Sequence, residues 1–139
     1  MTLQAQQSEW ARSTFGNAPA AEGRDPARAL ANRFKIEAAL QDFAAGRAAT
    51  ADANNFLYLV RANQLAGADP ARIRAPTLLI YAPTDLVFPQ PWIERTAAAL
   101  RNAGTPVDMV PLQGPNGHLN GVLHIAQAGP TIAEFLARE

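Results

Sequence analysis

Two short apolar segments in the second half of the chain restrict its fold more than any other feature. Residues 77–82 form an almost continuous apolar run, and residues 106–112 form a second one. A strand that is apolar along nearly its whole length is typical of a parallel sheet covered on both faces, because neither face then meets water. The two segments therefore predict parallel strands of an α/β fold.

Helix signals lie between and after these strands. Pro89 and Pro91 indicate the start of a helix over about 91–103, because proline favours the first helical turn, and Gly104 is suited to end it. A last helix is predicted over 129–136, where Gly-Pro begins the segment. The order strand, helix, strand, helix predicts a right-handed parallel βαβ unit with one more helix.

The start of the chain has helical rather than strand patterns. Residues 1–24 show little periodicity and are predicted to be irregular. Asp25 followed by Pro26 is typical of a helix start, because Asp can cap free N–H groups and Pro lacks the N–H that would go unpaired. Gly46 is suited to end this helix in the left-handed conformation.

A second helix is predicted from about residue 50 or 52 to residue 65. Five consecutive apolar residues, 56–60, lie in it and cover more than one helical face, so we expect this helix to be buried on more than one side. The two helices form a predicted hairpin. The sequence thus divides into an irregular segment 1–24, a helical hairpin 25–69 and a βαβα part 70–139.

Two strands are few for a parallel sheet. An isolated pair of strands is marginal in water, and a parallel pair needs cover on both faces. We therefore expect the chain to be the C-terminal part of a larger fold, or to complete its sheet with another chain. The predicted partner is a second copy of this chain, which would make a homo-oligomer, or a separate N-terminal half.

The composition argues against several classes of function. A chain of 139 residues with 48% apolar residues can form one globular domain with a core. Lys plus Arg and Asp plus Glu both number 12, and this zero net charge argues against binding to nucleic acid or to an anionic membrane. No apolar run approaches the length of a membrane span and no signal peptide is recognisable, so a cytoplasmic location is predicted.

Metal and thiol chemistry are not indicated. The sequence has no cysteine, which excludes a disulfide framework, a thiolate metal site and a cysteine nucleophile. Its two histidines, His118 and His124, are six residues apart, which is not the spacing of paired ligands on a helix. We therefore expect no metal and no bound cofactor.

An acidic residue and a histidine follow the two predicted strands. Asp85 lies in the loop after the first strand, and His118 lies in the loop after the second. Adjacent parallel strands bring their C-terminal loops to one edge of the sheet, where catalytic sites are built. An acid followed by a histidine matches the second and third members of a Ser…Asp…His triad, although either residue alone is also common in loops that bond the local backbone. The only serines, Ser8 and Ser13, do not lie in a G-x-S-x-G motif.

Three segments resemble the homoserine O-acetyltransferase family of α/β-hydrolases, within a match over most of residues 30–139. DANNFLYLVRA at 52–62 resembles a lid helix of the family, and IRAPTLLIYAPTDLVFP at 73–89 resembles its strand and acid loop. AGTPVDMVPLQGPNGH at 103–118 resembles the strand that leads to its Gly-His-Asp motif. The resemblance implies a central parallel sheet with a helical lid, a serine nucleophile at a strand–helix elbow, acetyl-CoA as acyl donor of the full enzyme and homoserine as acceptor.

The resemblance also implies catalytic roles for two residues of this chain. Asp85 would orient the imidazole ring, and His118 would be the general base. The chain departs from the family at Leu119, which replaces an Asp that helps to hold the amino-acid acceptor, and at Thr50, which replaces an Arg. Leucine cannot pair with an ammonium group.

These observations together predict an incomplete α/β-hydrolase fold, in which a helical lid hairpin precedes a parallel βαβ unit and a C-terminal helix. The predicted function is that of the C-terminal part of a serine α/β-hydrolase that transfers acyl groups or hydrolyses esters of a small acyl substrate. This chain alone is predicted to be inactive, because it carries the triad acid and histidine without the nucleophile. The alternative is a non-catalytic relic, or a binding subunit with inherited hydrolase loops.

Overall fold

The computed structural model describes residues 6–138. Contacts divide the chain into two compact units. One unit is Arg12–Ala68, and the other combines the residues up to Ala11 with those from Asp69 onward. The second unit contains both strands and both predicted catalytic residues.

The described residues form six α-helices and two β-strands. The helices are α1 (Ser8–Phe15), α2 (Lys35–Thr50), α3 (Ala53–Leu65), α4 (Gln90–Asn102), α5 (Asn120–Leu123) and α6 (Gly129–Leu136). The strands are β1 (Thr77–Tyr81) and β2 (Val107–Pro111). Short 3₁₀ turns lie at Pro70–Arg72, Gly117–Leu119 and Ile125–Ala128. Among residues 6–138, none of the helices combines the length and the hydropathy that a membrane span requires.

The two strands pair in parallel with α4 between them in the chain, as the sequence predicts. Thr77 lies opposite Val107 and Tyr81 lies opposite Pro111, so the strands end at the same level. α4 packs on both strands and buries Leu100, which is 2% exposed. The loops that follow β1 and β2 therefore leave the sheet at the same edge.

The core of this unit is small. Its buried apolar residues are Ala82, Ala97, Leu100, Leu112 and Ala128. Every residue of β1 is only half-buried, and so are the first four residues of β2. The strands are thus less buried in this chain than is typical of strands with such an apolar sequence.

The first predicted helix begins later than the sequence indicates. α2 begins at Lys35, and Asp25 instead caps a turn, in which its Oδ1 accepts a hydrogen bond from the Ala27 N–H at 2.9 Å. The helix begins where the Glu37 carboxylate accepts the N–H of Phe34 at 2.6 Å. Aspartate favours turns and helix starts by the same bond to the backbone, so the sequence signal does not separate the two.

Two further helix predictions differ from the structure. α2 continues through Gly46 to Thr50, because a single glycine in a helix costs only about 1 kcal/mol and the flanking alanines favour the helix. Ser8–Phe15 forms α1 within the segment 1–24 that was predicted to be irregular. Residues 1–5 of that segment lie outside the described residues.

The start of α3 agrees with the prediction, but its burial does not. Asp52 caps the helix and accepts a hydrogen bond from the Asn55 N–H at 3.0 Å. Residues 56–60 are between 39% and 78% exposed, so the prediction of burial on more than one side is wrong for this chain. An apolar row is buried only where another surface packs on it, and the row itself does not supply that surface.

Candidate active site

The loop after β1 is folded around the carboxylate of Asp85. Its Oδ1 accepts hydrogen bonds from the backbone N–H groups of Val87 at 2.7 Å and Phe88 at 3.0 Å. Aspartate commonly bonds the backbone two residues ahead in this way, which stabilises a turn. The residue is only 9% exposed, so its position is fixed by the loop. These two bonds use one carboxylate oxygen and leave Oδ2 for another partner.

The loop after β2 brings His118 to that second oxygen. Gly117 is buried and has a φ of +55°, a conformation that glycine adopts without strain, and the chain turns there just before the histidine. His118 Nδ1 lies 2.8 Å from Asp85 Oδ2. The structure therefore brings together the two catalytic residues that the sequence predicts.

This contact assigns roles to the two ring nitrogens. An ionised carboxylate can only accept hydrogen bonds, so the neutral imidazole of His118 carries its hydrogen on Nδ1. Nε2 then keeps a lone pair that is able to accept a proton, and the Asp85 carboxylate is placed where it would stabilise an imidazolium. The His118 side chain is 36% exposed, so the ring is only partly covered by the protein.

The aromatic ring of Phe88 also packs on His118. The two ring centroids are 5.4 Å apart, and the ring planes are tilted by 54°. The residue whose N–H holds the Asp85 carboxylate thus also limits the orientation of the imidazole. One loop supports both members of the pair.

An apolar groove of about 230 Å³ lies beside the Asp85–His118 pair. Its lining includes Ile80, Ile93 and Leu112. Apolar surroundings lower the local dielectric constant and strengthen the interaction between a carboxylate and an imidazole. The groove suits an apolar group next to a reacting carbonyl.

The second histidine does not join this pair. His124 Nε2 lies 3.2 Å from Asn116 Oδ1, within the loop that leads to His118. Among residues 6–138, no three or more His, Asp or Glu side chains are grouped so that they could hold a metal ion.

Sequence reasoning missed the side chains that hold the loop before His118. Asn120 is fully buried and bonds both to Gly114 O and to Asn116 N. Gln127 bonds the backbone of Gln113, in the loop just after β2. The one indication in the sequence is the pair of glycines in this loop, Gly114 and Gly117. A glycine allows another group to pack closely against the backbone, but it does not identify that group.

Two curated relatives match part of this chain, and both are named serine O-succinyltransferase. No protein-family model matches the sequence. The chain is 36% identical over 114 residues to a serine O-succinyltransferase of Xylella fastidiosa strain M12, a match that covers 74% of this chain and 31% of that protein. It is 39% identical over 67 residues to a serine O-succinyltransferase of Xanthomonas axonopodis pv. citri, over 48% of this chain and 17% of that protein. The chain thus spans about a third or less of the length of these curated relatives.

Solved structures give a similar result over nearly the whole chain. Esterase E22 superposes with a TM-score of 0.82 and 31% identity, over 97% of this chain and 39% of that one. Homoserine O-acetyltransferase from Bacillus anthracis superposes with a TM-score of 0.79 and 19% identity, over 98% of this chain and 38% of that one. These matches confirm the predicted partial α/β-hydrolase fold and the resemblance to the C-terminal region of homoserine O-acyltransferases.

Proposed function

From this resemblance to the homoserine O-acetyltransferase family of α/β-hydrolases, we propose that the chain supplies the acid and the general base of a serine-dependent ester hydrolase or acyltransferase. The observation that carries the proposal is the 2.8 Å contact between His118 Nδ1 and Asp85 Oδ2. A buried carboxylate beside Nδ1 of a partly exposed histidine is the arrangement of the acid and the base of a triad.

In the proposed mechanism, a serine attacks an acyl carbonyl while His118 Nε2 takes the proton of its hydroxyl. Asp85 stabilises the imidazolium, which then gives the proton to the leaving alcohol or thiol. An acyl-enzyme remains, and water or an acceptor hydroxyl attacks it with His118 again as base. The product acid or new ester leaves, and the serine regains its proton.

The nucleophile in this proposal comes from an N-terminal hydrolase half. Ser8 and Ser13 lie on α1 and are not in G-x-S-x-G, the elbow at which α/β-hydrolases expose the serine. That half either precedes these residues in one polypeptide or belongs to a partner chain. Acetyl-CoA is the acyl donor of the acyltransferase version, and this chain itself holds no cofactor.

Ester hydrolysis is the version that the chain supports best. Leu119, directly after the proposed base, is half-buried and offers no charge to an amino-acid ammonium group. Esterase E22 matches 97% of the chain at 31% identity, which agrees with a hydrolytic role. Transfer of an acyl group to the hydroxyl of an amino acid is the second candidate, and the serine O-succinyltransferase relatives favour it.

A complementation assay tests the proposal. The part of esterase E22 that precedes the matched region is expressed with this chain, and hydrolysis of para-nitrophenyl acetate is measured. Transfer from acetyl-CoA to homoserine is measured in parallel. The same part of esterase E22 with its own C-terminal region is the positive control for assembly of the two halves. We expect no turnover from this chain alone and turnover from the assembled pair.

Variants then identify the residues responsible. We expect His118→Ala and Asp85→Ala to abolish the complemented activity, and Asp42→Asn, an exposed acid on α2, to leave it unchanged. Activity of the isolated chain that disappears on changing Ser8 or Ser13 contradicts the proposal. A working positive control combined with an inactive pair favours a non-catalytic relic or binding subunit instead.

A further inference from the structure

The loop between β2 and His118 is fastened by a buried amide. Asn120 is fully buried, and its Nδ2 donates a hydrogen bond to Gly114 O at 3.0 Å. Its Oδ1 accepts a hydrogen bond from the Asn116 N–H at 3.1 Å. A single side chain therefore satisfies one acceptor and one donor of the loop, because an amide carries an N–H donor and an oxygen acceptor about 2 Å apart.

A second contact continues this network. His124 Nε2 lies 3.2 Å from Asn116 Oδ1, so Asn116 is held through its side chain by His124 as well as through its backbone by Asn120. At the start of the loop, the Gln127 amide donates to Gln113 O at 2.7 Å and accepts from Gln113 N at 3.0 Å. The loop is thus fixed at both ends by side chains that follow His118.

The packing around Gly114 shows how closely the loop is fitted. A Cβ atom at this position would lie 2.6 Å from Asn120 Oδ1 and 2.7 Å from His124 Cδ2. A Cβ atom cannot form a hydrogen bond at such distances, and real Cβ atoms essentially never lie within 3.0 Å of a non-bonded heavy atom. The glycine lets the backbone approach the buried amide, and the amide in turn fixes the backbone.

We propose that Asn120 is a positioning residue, which sets the loop so that His118 Nδ1 faces Asp85. Asn120 lies two residues after His118, and its side chain bonds Gly114 and Asn116, which precede His118. These bonds hold together the two segments of chain on either side of the histidine and so fix the position of its backbone. The chain at Gly117 has a φ of +55°, and a flexible glycine next to the base needs such an external restraint. The consequence for catalysis depends on the proposed function, whereas the consequence for the geometry does not.

The test is the tautomer of His118, read from ring ¹⁵N chemical shifts of the full chain. Asn120→Asp keeps the acceptor oxygen and removes the donor N–H. Asn120→Ser has a shorter, uncharged side chain. Two variants are used so that the test can still be made if one of them does not fold. We expect the Nε2–H tautomer to rise roughly two- to tenfold, which corresponds to the net contribution of one intramolecular hydrogen bond. Histidine lines are assigned with His124→Gln.

Thr105→Val is the control for a general loss of stability. Thr105 is buried in the same unit, and its hydroxyl donates to Ile73 O away from the loop. We expect this variant to lower the melting temperature without changing the His118 tautomer. An unchanged tautomer in both Asn120 variants overturns the proposal, and so does an equal change in Thr105→Val.

The same variants in the complemented enzyme separate this proposal from the proposed function. If the enzyme is active, we expect the Asn120 variants to lower kcat and to leave KM nearly unchanged, since Asn120 is fully buried. If the Asn120 variants shift the tautomer but the pair made with the unaltered chain has no activity, the positioning role is supported and the catalytic role of the chain is contradicted.

Discussion

Changing Gly114 to alanine tests the packing of the loop that carries His118. The added Cβ would lie 2.6 Å from Asn120 Oδ1, and Asn120 cannot turn away without losing its bonds to Gly114 O and Asn116 N. Inserting a methyl group into a packed site costs about 1–3 kcal/mol, and a buried polar group left unpaired costs a similar amount. We expect the free energy of unfolding to fall by about 2–4 kcal/mol, because one of these costs is met in full and the other in part.

Urea unfolding followed by tryptophan fluorescence measures this change. Trp10 and Trp92 both belong to the unit that contains the sheet, so the signal reports on the correct part of the chain. Gly121→Ala is the control for an added methyl group, because Gly121 lies in α5 and a Cβ there meets no atom within 4 Å. Gly114 differs also in its φ of +157°, which strains any residue that carries a Cβ and adds to the expected loss. We expect that control to be neutral or up to about 1 kcal/mol more stable. Equal stability of Gly114→Ala and Gly121→Ala refutes the reasoning.

Three other outcomes are expected. Asp85→Asn should place an amide N–H against His118 Nδ1, which moves the ring proton to Nε2 in ¹⁵N spectra and lowers kcat of a complemented enzyme by about 10⁴; an unchanged tautomer is the contrary result. Leu100→Ala should cost about 2–5 kcal/mol in urea unfolding, whereas Leu136→Ala, at an exposed site, should change stability by less than about 0.5 kcal/mol; similar effects of the two contradict the assigned core. Light scattering across a concentration series should show association of the chain, and a cooperatively melting monomer at high micromolar concentration contradicts the argument from the exposed residues 56–60.

The strands and the contact between Asp85 and His118 could be predicted because their signals are local and their geometry is general. The apolar runs at 77–82 and 106–112 correspond to β1 and β2, and the prolines and glycine around α4 mark its ends. Parallel pairing brings the following loops to one edge whatever their separation in sequence. Asp85 and His118 could therefore be placed near each other without knowledge of the backbone between them.

The support of the pair could not be predicted in the same way. The two N–H groups that hold Asp85 belong to the backbone of Val87 and Phe88, and any residue types supply such groups. Asn120 has no periodic pattern that distinguishes a buried loop amide from an exposed one. Its role depends on a close approach to Gly114 that only the folded loop defines.

The burial of the strands connects the fold to the proposed function. Their apolar sequence is typical of a sheet covered on both faces, yet every residue of β1 and most of β2 are only half-buried. Residues 56–60 are also exposed, and apolar surface of this kind is stabilised when another protein surface removes it from water. A chain that acts alone leaves this apolar surface in contact with water. An N-terminal hydrolase half that covers the sheet would remove such surface from water, and it is also what the Asp85–His118 pair needs for a nucleophile.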